Sequence, residues 1–129
     1  MDITDLAALV FAALTAGVVV FQLALAAGAP WGTYAMGGAF PGRYPPGMRV
    51  AAVIQALLLA VVALIVLSCA GLVWPDLTAG VPWIIWLIVA LSALGVAMNV
   101  ASRSAGERRL WVPVTIVLLV CSVVVALTA

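Results

Sequence analysis

Four stretches of this chain, residues 6–27, 50–73, 81–101 and 110–128, contain no charged side chain. Each is close to or above the roughly 20 apolar residues with which an α-helix crosses a ~30 Å hydrocarbon core. Together they leave little of the 129 residues for anything else. Composition closes off water as the solvent. The chain is 68% hydrophobic and 7% charged, where a soluble domain carries about 45–50% apolar and about 25% charged residues. The Val-rich run 114–125 holds strand-forming residues but lacks the alternation of a barrel strand. A lone strand would also leave its backbone polar groups unpaired in lipid. The expectation is an all-α membrane protein, a four-helix up-down transmembrane bundle forming a single domain over residues 1–129.

Ala24-Leu25-Ala26 looks like a signal-peptidase site. A signal peptide opens on basic residues, whereas this chain opens on Asp2 and Asp5, so the first span is expected to be retained. Cys69 and Cys121 fall at different depths of their spans, counted at about 1.5 Å per residue, and a disulfide between them is not expected.

Charge sets an orientation. All five basic residues are arginines, Arg43, Arg49, Arg103, Arg108 and Arg109, and all lie between spans 1 and 2 or between spans 3 and 4. Asp2, Asp5 and Asp76 lie on the opposite side. Basic residues in short loops stay in the cytoplasm. The localisation expected is the inner (cytoplasmic) membrane, multi-pass, with both termini outside. Aromatic residues fall where interfacial anchors belong, with Trp74, Trp83 and Trp86 at the outer turn and Trp31, Tyr34, Tyr44 and Trp111 at the inner boundary.

The segment 28–49 holds six Gly and four Pro, which rules out a long helix there. Its rings, Trp31, Tyr34, Phe40 and Tyr44, would not be left in water. An ordered cytoplasmic loop folded back on the protein is expected, and a passive connector at the lipid surface is the competing reading. In the second basic loop, Ser104 and Glu107 have capping-box spacing. The fourth helix therefore starts either there, with Pro113 inside it, or near Leu110, with Pro113 in its first turn.

Small and polar residues recur at every third or fourth position: Ala8, Ala12 and Ala16; Ala52, Ala56 and Ala60; Ser92, Gly95 and Asn99. Such faces let membrane helices approach closely. Val62 is placed on the lipid side. Gln22, Gln55 and Asn99 all fall in the half of the bundle beneath the arginine loops. Polar groups at that depth serve either as interhelical glue or as a site. The candidate ligand-binding residues are these three amides with Arg43, Arg49 and Arg103 at the mouth, where planar guanidinium groups suit phosphate or carboxylate.

Absences narrow the chemistry. With no His and no CxxC pair, no metal site, cofactor or thiol exchange is expected. No acidic residue lies within a span, unlike the small multidrug antiporters of similar size, whose transport depends on a membrane-embedded Glu. Glu107 is read as a helix cap or a local partner of Arg108. No nucleophile is paired with a base, so no catalytic residue is assigned.

The strings Gly28-Ala29-Pro30-Trp31-Gly32, Gly37-Gly38 and Pro41-Gly42-Arg43, with Asn99, Ser102-Arg103 and Glu107-Arg108-Arg109-Leu110-Trp111, resemble a group of small four-helix actinobacterial membrane proteins of no assigned activity. The resemblance covers most of the chain and implies the fold alone. Residues 31–37 also look like a stretch of the tryptophan-rich sensory/translocator proteins, whose fifth helix and further Trp-rich segments have no counterpart here.

The function expected is non-enzymatic: binding of an amphiphile or anionic lipid headgroup in a cytoplasmic-side polar pocket, or passage of a small solute through an oligomer. The alternative is a structural or accessory subunit of a larger membrane complex. Expected partners are membrane lipid and either a second copy of the chain or another membrane protein; nucleic acid is not expected.

Overall fold

The computed structural model describes all 129 residues and contains helices and no strand. Helix α1 (Ile3–Ala26) starts where the Asp2 carboxylate accepts the Asp5 N–H at 2.9 Å, a cap for an otherwise unpaired amide. It stops at Gly28, held at φ +101°. There the Gly28 N–H bonds Leu25 O and the Ala29 N–H bonds Ala24 O, the paired bonds that close a helix on a left-handed residue.

Helix α2 (Pro46–Cys69) has a proline at its first position, where the missing N–H costs no intrahelical bond. Its end repeats the device of α1. Gly71 sits at φ +78°, its N–H on Ser68 O, with the Leu72 N–H on Leu67 O. The helix therefore runs four residues earlier than the uncharged stretch 50–73. Apolar side chains continue to Val73, but the backbone has already turned at Gly71.

A single turn, α3 (Asp76–Ala79), follows. Ser68 Oγ donates to Trp74 O at 2.8 Å and lies 2.9 Å from Thr78 Oγ1, which ties this turn to the end of α2. Helix α4 (Ile84–Val100) has 17 residues, because 81–83 form a turn around Pro82. Helix α5 (Ala105–Thr128) begins at the Ser104 cap, whose Oγ accepts the Glu107 N–H at 3.2 Å. Of the two starts open to the sequence, the earlier one holds, and Pro113 lies inside the helix.

Helices α1, α2 and α5, of 24 residues each, are long and apolar enough to cross a membrane. At 1.5 Å per residue each reaches about 36 Å, against about 26 Å for α4. Only 22 of 129 residues are buried, and large apolar side chains such as Val20, Leu57, Leu87 and Leu127 point outward. A surface of that kind calls for lipid rather than water.

α1 packs against both α2 and α5, α5 packs against α4, and α2 and α4 barely touch. The larger core draws on α1, α2, α4 and α5: Ala8 and Phe11, Val66, Ile85 and Ile88, Cys121 and Val125. Thr4 and Thr128 share a hydrogen bond at this end. Both cysteines are free thiols. The smaller core, Leu25, Ala35, Tyr44 and Ala52, joins α1, α2 and the long loop without any residue of α4. Past Ile88, α4 buries no side chain.

The small-residue faces are used in part. Ala8, Ala52 and Ala56 are buried, whereas Ala16 and Ala60 are exposed. Each step of four residues advances about 40° beyond a full turn at 3.6 residues per turn, so a row of three leaves the contact. Val62 is half-buried and packs on the larger core, not on lipid.

Candidate functional site

Where α4 parts from α2, the helices leave a cavity of about 600 Å³, within the range of about 300–1,000 Å³ usual for ligand sites. Its walls come from α1, α2, α4 and α5, and the long loop covers one end. Side chains that line it while remaining exposed lie mainly on the two separated helices: Ala51, Gln55 and Leu58 on α2, and Leu91, Leu94 and Met98 on α4. The cavity thus opens sideways through the α2–α4 gap.

The covering loop is held at several points, and glycine decides its path. The Gly32 N–H bonds Gly42 O at 2.9 Å, and a Cβ on Gly32 would lie 1.8 Å from Phe40 O. The loop then sits on the first turns of α5. Ser104 Oγ donates to Thr33 O at 2.6 Å, Trp111 Nε1 donates to Tyr34 O at 2.8 Å, and Glu107 Oε2 accepts the Gly37 N–H at 2.9 Å. The Tyr34 ring covers Gly106 so closely that a Cβ there would be 2.7 Å from it. Trp31 stacks on Phe21 at 6.1 Å, and Phe21 meets Trp111 edge-on at 4.8 Å. Met36 holds φ +53°, a left-handed conformation that costs a non-glycine residue of order 1–3 kcal/mol. It lies beside the Gly37 amide that Glu107 accepts.

Gln22, Gln55 and Asn99, from three different helices, all line this one cavity. Asn99 Nδ2 donates to Gly95 O at 2.8 Å within its own helix, which leaves Oδ1 as its free acceptor. The three arginines expected at the mouth are not among the lining residues. Arg43 and Arg103 are exposed. Arg49 Nε donates to Tyr44 O at 2.9 Å, and its guanidinium packs against Gly28. A cation at that place complements the C-terminal end of α1.

Three lining residues carry chemistry that the sequence did not assign to a site. Glu107 is 7% exposed. In a capping box the glutamate returns to the cap residue's N–H, but here Ser102 Oγ takes the Ser104 N–H at 3.1 Å. The Glu107 carboxylate is thereby released to the loop and the cavity, and the serine two residues before the cap was the available signal. Tyr44 is also buried in the lining. Burial first, and then the charge of Glu107, raise its phenol above the ordinary value. It is therefore neutral at pH 7 and able to donate. Thr15 is 2% exposed, and its Oγ1 has no hydrogen-bond partner. Thr115 and Ser122 behave as helical hydroxyls usually do, bonding Trp111 O at 2.9 Å and Leu119 O at 2.8 Å.

No protein-family model, curated protein or solved structure matches this chain.

Proposed function

We propose that α1, α2, α4 and α5 all cross the cytoplasmic membrane as an up-down four-helix bundle with both termini outside. In this reading the protein binds an amphiphile in the cavity between α2 and α4, without catalysis. The observation that carries it is the convergence of Gln22, Gln55 and Asn99 on one largely apolar cavity that opens sideways toward lipid. Apolar lining with a few convergent polar groups is the ordinary make-up of a ligand site. Segregation of the arginines at one end of the bundle and of Asp2, Asp5 and Asp76 at the other supports the orientation. Exposed Trp83 and Trp86 extend the short α4 to an interfacial anchor.

Native mass spectrometry of the protein released from membranes tests the binding. A bound amphiphile should survive and should be lost on Asn99→Leu or Gln22→Leu with the fold intact. A protein that emerges bare would refute it. One that emerges joined to another membrane protein through the α2–α4 gap would favour an accessory subunit. A reporter active only in the cytoplasm, fused after Ala129, should stay silent, and a strong signal would overturn the orientation.

A further inference from the structure

The loop end of the cavity is lined by four aromatic side chains, Phe21, Tyr34, Tyr44 and Trp111, and by one carboxylate, Glu107. Glu107 is nine-tenths buried and takes one hydrogen bond, from the Gly37 N–H. A carboxylate buried to this degree is costly without a counter-charge, and no arginine lines the cavity. Arg108, next in sequence, turns instead to Ser102 O. Aromatic faces attract an ammonium group within about 6 Å of the ring centroid. The free Asn99 Oδ1 and the amide oxygens of Gln22 and Gln55 add neutral acceptors nearby. Deeper in the wall, seven residues and about 10 Å along α1 from Gln22, Thr15 Oγ1 has no partner. A buried hydroxyl is normally paired, and no group of the chain pairs this one.

From this arrangement we infer that the guest is an amphiphilic ammonium cation, its head among the four rings against Glu107 and its tail running past Thr15 into the apolar part of the cavity. The inference rests on the amphiphile reading above and reverses the anionic head that the arginines suggested. A membrane lipid with an ammonium headgroup and a free lipophilic cation share the recognised chemistry.

The test uses the full chain in lipid nanodiscs, with hexadecyltrimethylammonium as probe and hexadecanol as the neutral control of equal tail length. The cation should bind at least ten-fold more tightly than the alcohol. Glu107→Gln keeps an acceptor for the Gly37 N–H and should remove most of that preference, with alcohol binding changed less than two-fold. Phe21→Leu tests the rings without touching the carboxylate and should cut the preference at least three-fold, so the inference stays testable if Glu107→Gln does not fold. Equal affinity for cation and alcohol, or a preference unchanged in both variants, overturns the ammonium assignment while leaving the amphiphile reading standing. Failure of both probes to bind overturns the amphiphile reading itself. Nanodiscs of phosphatidylcholine against nanodiscs of a neutral glycolipid separate the sources. Weaker probe binding in phosphatidylcholine identifies the lipid headgroup as a competitor for the site, and equal binding in both identifies a free cation as the guest.

Discussion

Gly32→Ala should undock the loop that covers the cavity. The added Cβ would lie 1.8 Å from Phe40 O and 2.7 Å from Gly42 O, and both obstacles are backbone atoms that no rotamer change removes. Relief requires the two arms of the loop to part, with loss of the Gly32 N–H bond to Gly42 O. Overpacking costs about 1–3 kcal/mol, and a typical hydrogen bond contributes about 0.5–1.5 kcal/mol. At the middle of the overpacking range, about 2 kcal/mol, the open population of the loop rises roughly 30-fold, since 1.4 kcal/mol is ten-fold. Hydrogen exchange of residues 32–44 in detergent micelles reads this directly, and amides in the middle of α1 should keep their protection. Gly47→Ala is the control, because nothing lies within 4 Å of its added Cβ. Unchanged exchange in Gly32→Ala would show that the loop does not pack on itself as described.

Ala56→Leu, at a position 3% exposed, should destabilise by about 1–3 kcal/mol, whereas Leu at exposed Ala60 should be tolerated; equal thermal stability of the two variants would mean that α2 presents the wrong face. Thr15→Val removes an unpartnered buried hydroxyl and should stabilise the ligand-free protein by about 1–3 kcal/mol, so a lower melting temperature would count against the cavity as drawn. The Tyr44 phenol is raised above 10.0 in the folded state by burial and by Glu107. Its sign follows from linkage: the neutral form is favoured by folding, so this contribution is intact below pH 10 and declines as pH rises from there towards the folded value. Loop exchange should accordingly accelerate above pH 10 in the native chain and less so in Tyr44→Phe, and identical profiles would contradict the burial of that phenol.

The apolar spans were legible because lipid-facing helices carry their signal in every residue: α1, α2 and α5 fall on three of the four uncharged stretches. Their ends were less so. Gly71 stops α2 through backbone conformation, while apolar side chains run on to Val73; the end of α1 before Gly28 agrees with the stretch 6–27 to within one residue. The Ser104 cap was visible in the spacing of Ser104 and Glu107, but the choice between two starts for α5 needed the loop that packs on it. The three amides could be grouped from their depth alone. The arginines could not, because positive charge near a membrane boundary marks orientation whether or not it faces a cavity. Glu107 was hidden by its two basic neighbours, Arg108 and Arg109, which made local pairing the natural reading. What freed its carboxylate was Ser102, a residue whose competing hydrogen bond depends on the tight turn between α4 and α5.

The proposed function requires a guest lying inside the α2–α4 cavity rather than around the bundle. A lipid with a photoactivatable group midway along its acyl chain, cross-linked in native membranes and mapped residue by residue, measures that directly. Adducts should concentrate on half-buried cavity residues, Val18, Leu59 and Leu118, and should fall there on Asn99→Leu. Adducts confined to the exposed outer residues Val20, Val61 and Val120, with Val18 and Leu118 unlabelled, would contradict it.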